Sequence, residues 1–269
     1  MKTRVTLRTN FVTFKGLGNY GRLANQLFQV AAVLSYSKKH GIDYILPEWK
    51  NKWTEGVDMT EIFKGPFDVD PRVIDYETDE YREKSMEYLM IPRSKRLNLS
   101  GYFQSEFYFI EHSDYIREMF SAEQRIENAI VEKNIGTFEG HCSIHVRRDD
   151  YLKYPEVHPF PGMDYYEKAI EMMKAEGYQK FLVFSDDIGW CKENFKGEEF
   201  KFSEKNEKNY EDLILMSLCS SHIIANSTFS WWSAWMSRNP EKKVIAPRRW
   251  FGNNGPQRHD IIPKEWIEL

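Results

Sequence analysis

Cysteine is scarce in this chain: Cys142, Cys191 and Cys219 are the only three among 269 residues. An odd number, widely spaced and without histidines at ligand spacing, excludes a disulfide framework or a cysteine-based zinc site and predicts a reducing, cytosolic setting. Long apolar runs are missing too. The start, MKTRVTLRTNFVTFK, lacks the apolar stretch of a signal peptide, and nothing reaches the ~18 apolar residues of a spanning helix. The expectation is a soluble cytoplasmic protein, at most peripheral to a membrane. Charge of one sign is not in excess, with 37 basic and 41 acidic residues and a net charge of -4. That balance argues against a nucleic-acid partner or a polybasic arm, so any basic site must be local. Internal repeats and low-complexity segments are also absent.

Aromatics are what the chain has in plenty: they make up 15% of it and include eight Trp, a composition suited to stacking on sugars. The length allows one large domain or two small ones, since single cores stop growing at about 250–300 residues. Residues 5–14, β-branched and aromatic, read as strand and lead into GLGNYGRLANQ, residues 16–26. A helix follows, with Leu23, Leu27, Ala31 and Leu34 at helical spacing, Lys38, Lys39 and His40 in its last turn, and Gly41 placed as its cap. From residue 48 to 97, Pro66, Pro71 and Pro92 interrupt a mixed aromatic and charged stretch whose periodicity yields no topology.

Small and polar residues around Gly136 suggest a boundary, giving domains 1–135 and 136–269. Beyond it, short apolar runs at 142–146, 181–184, 199–202, 222–225 and 244–246 alternate with helical patterns at 164–176 and 209–220. Such alternation predicts an α/β domain with a parallel sheet flanked by helices.

Polar clusters follow four of those runs: RRDD (147–150), SDD (185–187), NSTFS (226–230) and PRR (247–249). The carboxyl edge of an open α/β sheet is where ligands bind. In HVRRDDY, strand alternation puts His145 and Arg147 on one side and Arg148 on the other. A guanidinium fork suits a diphosphate that gains charge as it leaves, although an ordinary pair with Asp149 or Asp150 is an equal reading. Ser227, Thr228 and Ser230 open a helix and could cap it, hold an anion, or both, while Trp231, Trp232 and Trp235 are expected in the core. Asp212 reads either as a first-turn acid or as an acceptor for a guanine edge; Asp186 and Asp187 read as turn acids or metal ligands, with no third cluster to support a metal.

Taken together, GRLANQLFQVA, GYFQSE, HVRRDDY, FSDDIGWCKENF and DLILMSLCSSHIIANSTFSWWSAW resemble the α1,2-fucosyltransferases of glycosyltransferase family 11, in order and over nearly the whole chain. The GRxxNQ and HxR patterns are shared with fucosyltransferases of other linkages. The resemblance implies a GT-B-like fold of two Rossmann-like domains with a nucleotide-sugar cleft between them. It further implies inverting, metal-independent transfer of L-fucose from GDP-β-L-fucose to O2 of a terminal β-galactoside. GDP-fucose is then a substrate, and no cofactor is expected.

By matching positions, Arg147 would bind the donor diphosphate and stabilise the leaving group. His145 and Asp212 would contact guanosine, and Asn226, Ser227 and Thr228 would complete the donor site. Arg22, Asn25 and Gln26 would line the cleft on the acceptor side. Asp150 is a candidate base, or else an orienting partner for the arginines. Two positions depart from the family pattern: Ala24 and Asp149 stand where glycines are usual, which predicts ordinary backbone angles or strain at those turns.

Two rival readings fit parts of the same sequence. Gly16, Gly18 and Gly21 also spell the GxGxxG of a dinucleotide-binding oxidoreductase, with Asp43 about twenty residues on as the ribose acid. The tryptophans would equally suit a sugar-binding module without catalysis.

Overall fold

The structure is a computed structural model and describes residues 9–148, 151–203 and 208–269. Its chain forms two compact units, one running to Ser121 and including His259–Ile261, the other covering Ala122–Arg258 and Ile262–Leu269.

The first unit is built on a parallel sheet of four strands, β1 (Phe11–Thr13), β2 (Asp43–Tyr44), β3 (Asp79–Arg82) and β4 (Arg96–Ser100), in the order β2-β1-β4-β3. Its long helix, α1 (Leu23–His40), is buried over most of its length from Leu23 to Ser37. The helix ends where the sequence places its end. Gly41 takes φ 62°, its N–H bonds to the Ser37 carbonyl, and Lys38, Lys39 and His40 meet the negative end of the dipole. Ala24 lies within α1 at helical angles, and the described non-glycine residues with positive φ are Glu55 and Phe103 alone, so losing a glycine at 24 introduces no strain.

The stretch from 48 to 97 resists reading because polar caps shape it more than periodic faces do. Asn51, Asp58 and Asp70 each accept a backbone N–H at the head of a short 3-10 turn. Strand β3 that follows is mostly exposed and carries no apolar alternation. Helix α2 (Ser113–Met119) closes the continuous part of this unit.

The second unit begins at Ala122, fourteen residues before the glycine suggested as boundary, because its first helix, α3 (Gln124–Lys133), packs with α6 (Asn209–Ser217) of the second half. Its sheet has six parallel strands: β5 (Cys142–Val146), β6 (Phe181–Ser185), β7 (Phe200–Phe202), β8 (Ser221–Ile223), β9 (Val244–Ala246) and β10 (Ile267–Glu268). They lie in the order β10-β9-β8-β5-β6-β7. Renumbered within the unit this is 6-5-4-1-2-3, the doubly wound order of a Rossmann sheet. The connections carry α4 (Met163–Ala175), α5 (Ile188–Asn194), α6 and α7 (Thr228–Met236). Strand β5 is buried at all five positions although its sequence alternates: Cys142, Ile144 and Val146 enter the apolar core, while Ser143 and His145 pair with His222 and Ser230. Trp231, Trp232 and Trp235 of α7 are in the core as expected, with Trp231 and Trp235 stacked at 6.1 Å.

Candidate functional site

In the second unit the strand order reverses between β5 and β8, and ligands of such sheets bind outside the carboxyl ends at that point. Chain leaving β5 supplies Arg147 and Arg148. Val146 is in register with Ser185 of β6, so the arginines emerge beside Asp186 and Asp187. The four charges form two pairs: Arg147 Nη1 to Asp186 Oδ2 at 3.0 Å, and Arg148 Nε to Asp187 Oδ2 at 3.1 Å. Both guanidinium groups are largely shielded from solvent, where removing one partner leaves an uncompensated charge.

The two arginines do different work. The Arg148 guanidinium lies 4.0 Å from the Trp190 ring centre and 5.2 Å from that of Phe160. Paired and covered by two aromatic rings, it acts as a post for the loop. Arg147 sits 5.8 Å from the Tyr151 ring, whose hydroxyl donates to the Asn226 carbonyl at 2.7 Å. That bond links the arginine loop to the segment entering α7.

His145, expected to touch guanosine, is 5% exposed, and its Nδ1 lies 2.9 Å from Ser230 Oγ. Burial, with the Arg147 charge adding to it, pushes its pKa down to about 3, so the ring is neutral. Ser230 thus serves His145. Ser227 caps α7, accepting from Phe229 N at 3.4 Å, and Thr228 occupies the first helical position, half-buried. A capped helix start at a switch point is a suitable anion cradle.

Asn226 is buried, and its Nδ2 donates to the carbonyls of Pro159 at 3.0 Å and Trp250 at 2.9 Å. Expected as a donor ligand, its side chain instead ties two loops together beside the helix start. Asp212 is in the first turn of α6 and accepts from Ser203 Oγ at 3.0 Å. Asp149 and Asp150 lie outside the described residues, so the candidate base has no structural description. Among the described residues, no three His, Cys, Asp or Glu side chains are grouped to hold a metal ion, and no helix is long and apolar enough to cross a membrane.

In the first unit, the turn between β1 and α1 has the strand-turn-helix context of a dinucleotide site, but the turn is filled by its own chain. A Cβ at Gly18 would meet the Asn51 amide, and one at Gly21 would meet Asn25. Gly18 and Gly21 take φ 87° and 78° and accommodate those side chains, where a dinucleotide turn would keep its backbone open to pyrophosphate. Arg22 is exposed, with its guanidinium 5.7 Å from the Trp53 ring, and Asn25 Oδ1 accepts from Gln104 at 2.9 Å. Gln26, expected on a cleft wall, is instead fully buried. Its Oε1 accepts from Trp49 Nε1 at 2.9 Å and Asn51 Nδ2 at 3.1 Å, so it anchors the 49–54 loop.

Sequence reading missed Asp186 and Asp187 as arginine partners, as well as Tyr151 and Trp190. A usable signal was present, because two acids directly after one strand can face two arginines directly after its neighbour once the strands are known to pair.

Known proteins place the chain. It is 36% identical over 183 residues to the O-antigen biosynthesis glycosyltransferase WbnK of Escherichia coli, covering 64% of this chain and 60% of that one. To an alpha-1,2-colitosyltransferase of Escherichia coli it is 36% identical over 179 residues, covering 63% and 61%. To human galactoside alpha-(1,2)-fucosyltransferase 1 it is 27% identical over 240 residues, covering 81% and 64%. The matches thus span about three-fifths of the length of these relatives. Among solved structures, POFUT1 in complex with GDP superposes with a TM-score of 0.57 at 15% identity, covering 89% of this chain and 98% of that one. The Bradyrhizobium NodZ alpha-1,6-fucosyltransferase soaked with GDP-fucose gives 0.52 at 13%, covering 85% and 93%. At such identities the likeness is one of fold, α/β and GT-B-like. The sequence profile of glycosyl transferase family 11 matches residues 19–269, and the chain belongs to that family.

Proposed function

We propose that this protein transfers L-fucose from GDP-β-L-fucose to O2 of a terminal β-galactoside, with inversion at the sugar. The observation that carries this reading is Arg147, fixed at the carboxyl end of β5 at the switch point of a Rossmann sheet. In the reaction the acceptor oxygen attacks C1 of fucose from the face opposite GDP. The bond from C1 to the phosphate oxygen breaks, and its electron pair leaves with GDP. Arg147 neutralises that growing charge, and the N–H groups at the capped start of α7, with Ser227 and Thr228, add donors to the phosphates. Asp212 and the neutral ring of His145 serve the guanosine, Arg22 and Asn25 the acceptor. The hydroxyl proton passes to a base, for which Asp150 is the sequence candidate. No cofactor enters this scheme, since the sugar nucleotide is consumed. The three buried free cysteines are suited to work in a reducing cytoplasm.

A second donor has a specific observation behind it: identity to the alpha-1,2-colitosyltransferase, at 36%, exceeds that to the human fucosyltransferase, at 27%. Colitose is fucose without its 3-hydroxyl, so both donors present the same GDP and the same C1. The test offers the enzyme GDP-fucose and GDP-colitose separately with a panel of β-galactosides and reads product linkage by NMR. An α1,2-fucosyl product supports the first reading, and turnover of GDP-colitose alone replaces it with the second. Binding of NADH without binding of GDP would overturn both.

A further inference from the structure

We infer that Asp186 is a positioning residue for the transfer, holding the Arg147 guanidinium in the orientation in which it meets the departing diphosphate. This rests on the reading of Arg147 as a donor ligand. The Asp186 carboxylate divides its two oxygens. Oδ2 takes Arg147 Nη1 at 3.0 Å, and Oδ1 takes the backbone N–H of Arg148 at 2.9 Å. One group therefore fixes both the side chain of Arg147 and the path of the chain directly after it.

The carboxylate is itself held. It follows β6 directly, and the next residue is bound twice over: Ser185 Oγ accepts the Asp187 N–H at 2.9 Å, while Asp187 Oδ1 caps α5 through Trp190 N at 3.1 Å. Asp187 Oδ2 takes Arg148, whose guanidinium lies in the corner formed by the perpendicular rings of Trp190 and Phe160. The Arg148–Asp187 pair is thus built into the helix cap, and the Arg147–Asp186 pair is continuous with it along the chain.

Electrostatics makes this arrangement informative. A carboxylate 3.0 Å from the guanidinium offsets part of the charge that attracts a diphosphate, so Asp186 works against donor affinity. What it gives in return is orientation: a long side chain is held in one direction before the donor arrives, and misplacement by ~1 Å can cost ~10²-fold in rate. The two effects have opposite signs on affinity and turnover, which a purely structural residue would not produce.

The experiment compares wild type, Asp186→Asn and Arg147→Ala in the full chain, measuring GDP affinity by calorimetry, kcat and KM with GDP-fucose (or GDP-colitose, if that is the donor used), and the melting temperature. Asp186→Asn keeps an oxygen for the Arg148 N–H and loses the charge. Expected are a fall in kcat of about tenfold or more with GDP affinity equal to or tighter than wild type. A kcat within twofold of wild type, or a GDP affinity that falls in step with kcat, overturns the inference. If Asp186→Asn does not fold, Asp186→Ser is measured against the same outcomes. If Arg147→Ala binds GDP as wild type does, the reading of the site fails, an outcome distinct from failure of the Asp186 assignment.

Discussion

The turn after β1 and the turn after β5 occupy equivalent places, each following a central strand of a parallel sheet, yet they are built in opposite ways. The first is rich in glycine, and its space is taken by Asn51 and Asn25. The second has no glycine in its described part and presents two arginines, each paired with an acid of the neighbouring strand's exit. A glycine turn makes a phosphate site only if its backbone stays open. An arginine turn needs no open backbone, because the charge is carried on a side chain that can be aimed.

The contrast can be broken most directly at Arg147. Arg147→Ala is expected to cut transfer by about 10³- to 10⁵-fold, as loss of a phosphate-neutralising arginine does elsewhere, with the circular dichroism spectrum unchanged. Retained activity in a folded variant would remove the second turn's claim to the chemistry.

Acid tests the same region through its buried histidines. His145 and His222 are pushed down to about 3, each chiefly by burial, with Arg147 and Lys242 as the respective secondary causes. Folded, they stay neutral while the unfolded chain takes up protons near pH 6.5. Their contribution is complete above that value and is lost as pH falls from 6.5 towards 3. From pH 7 to pH 5 the two together should remove about 4 kcal/mol of stability. Denaturant melts at the two pH values check this, and a flat profile would show that the pair is solvated.

In the first unit the expected effects are on folding. Gln26→Ala strands Trp49 Nε1 and Asn51 and should cost about 2–4 kcal/mol in a denaturant melt. Gly21→Ala puts a side chain at φ 78° against Asn25 and should cost about 1–2 kcal/mol, with GDP affinity within about twofold of wild type. A large loss of GDP binding in a folded Gly21→Ala would restore the glycine turn as a nucleotide site.

Much of the second unit was legible because its strands are short, rich in apolar residues and bounded by turn residues. Residues 142–146 and 244–246 are strands in full, and the helix beginning at Asn209 starts where its pattern starts. Strands β3 and β4 were not legible. The first is an exposed edge without alternation, and the second follows a stretch of capped turns and prolines. The site was legible in residue type and less so in task. Asn226 and Gln26 are polar residues in motifs, yet both are buried and committed to holding loops.

By itself the sequence determined the family, the α/β class and the collection of charge at strand ends, since all three are written in local pattern and motif order. Tertiary structure alone decided which charges answer one another. Asp186 reaches Arg147 and, at a sequence separation of 38, Arg148 only because β5 and β6 pair in register, and such a register is set by burial of both strands. The same holds for the glycines of residues 16–26, whose local spelling permits a phosphate turn and whose space Asn51, from a distant loop, fills.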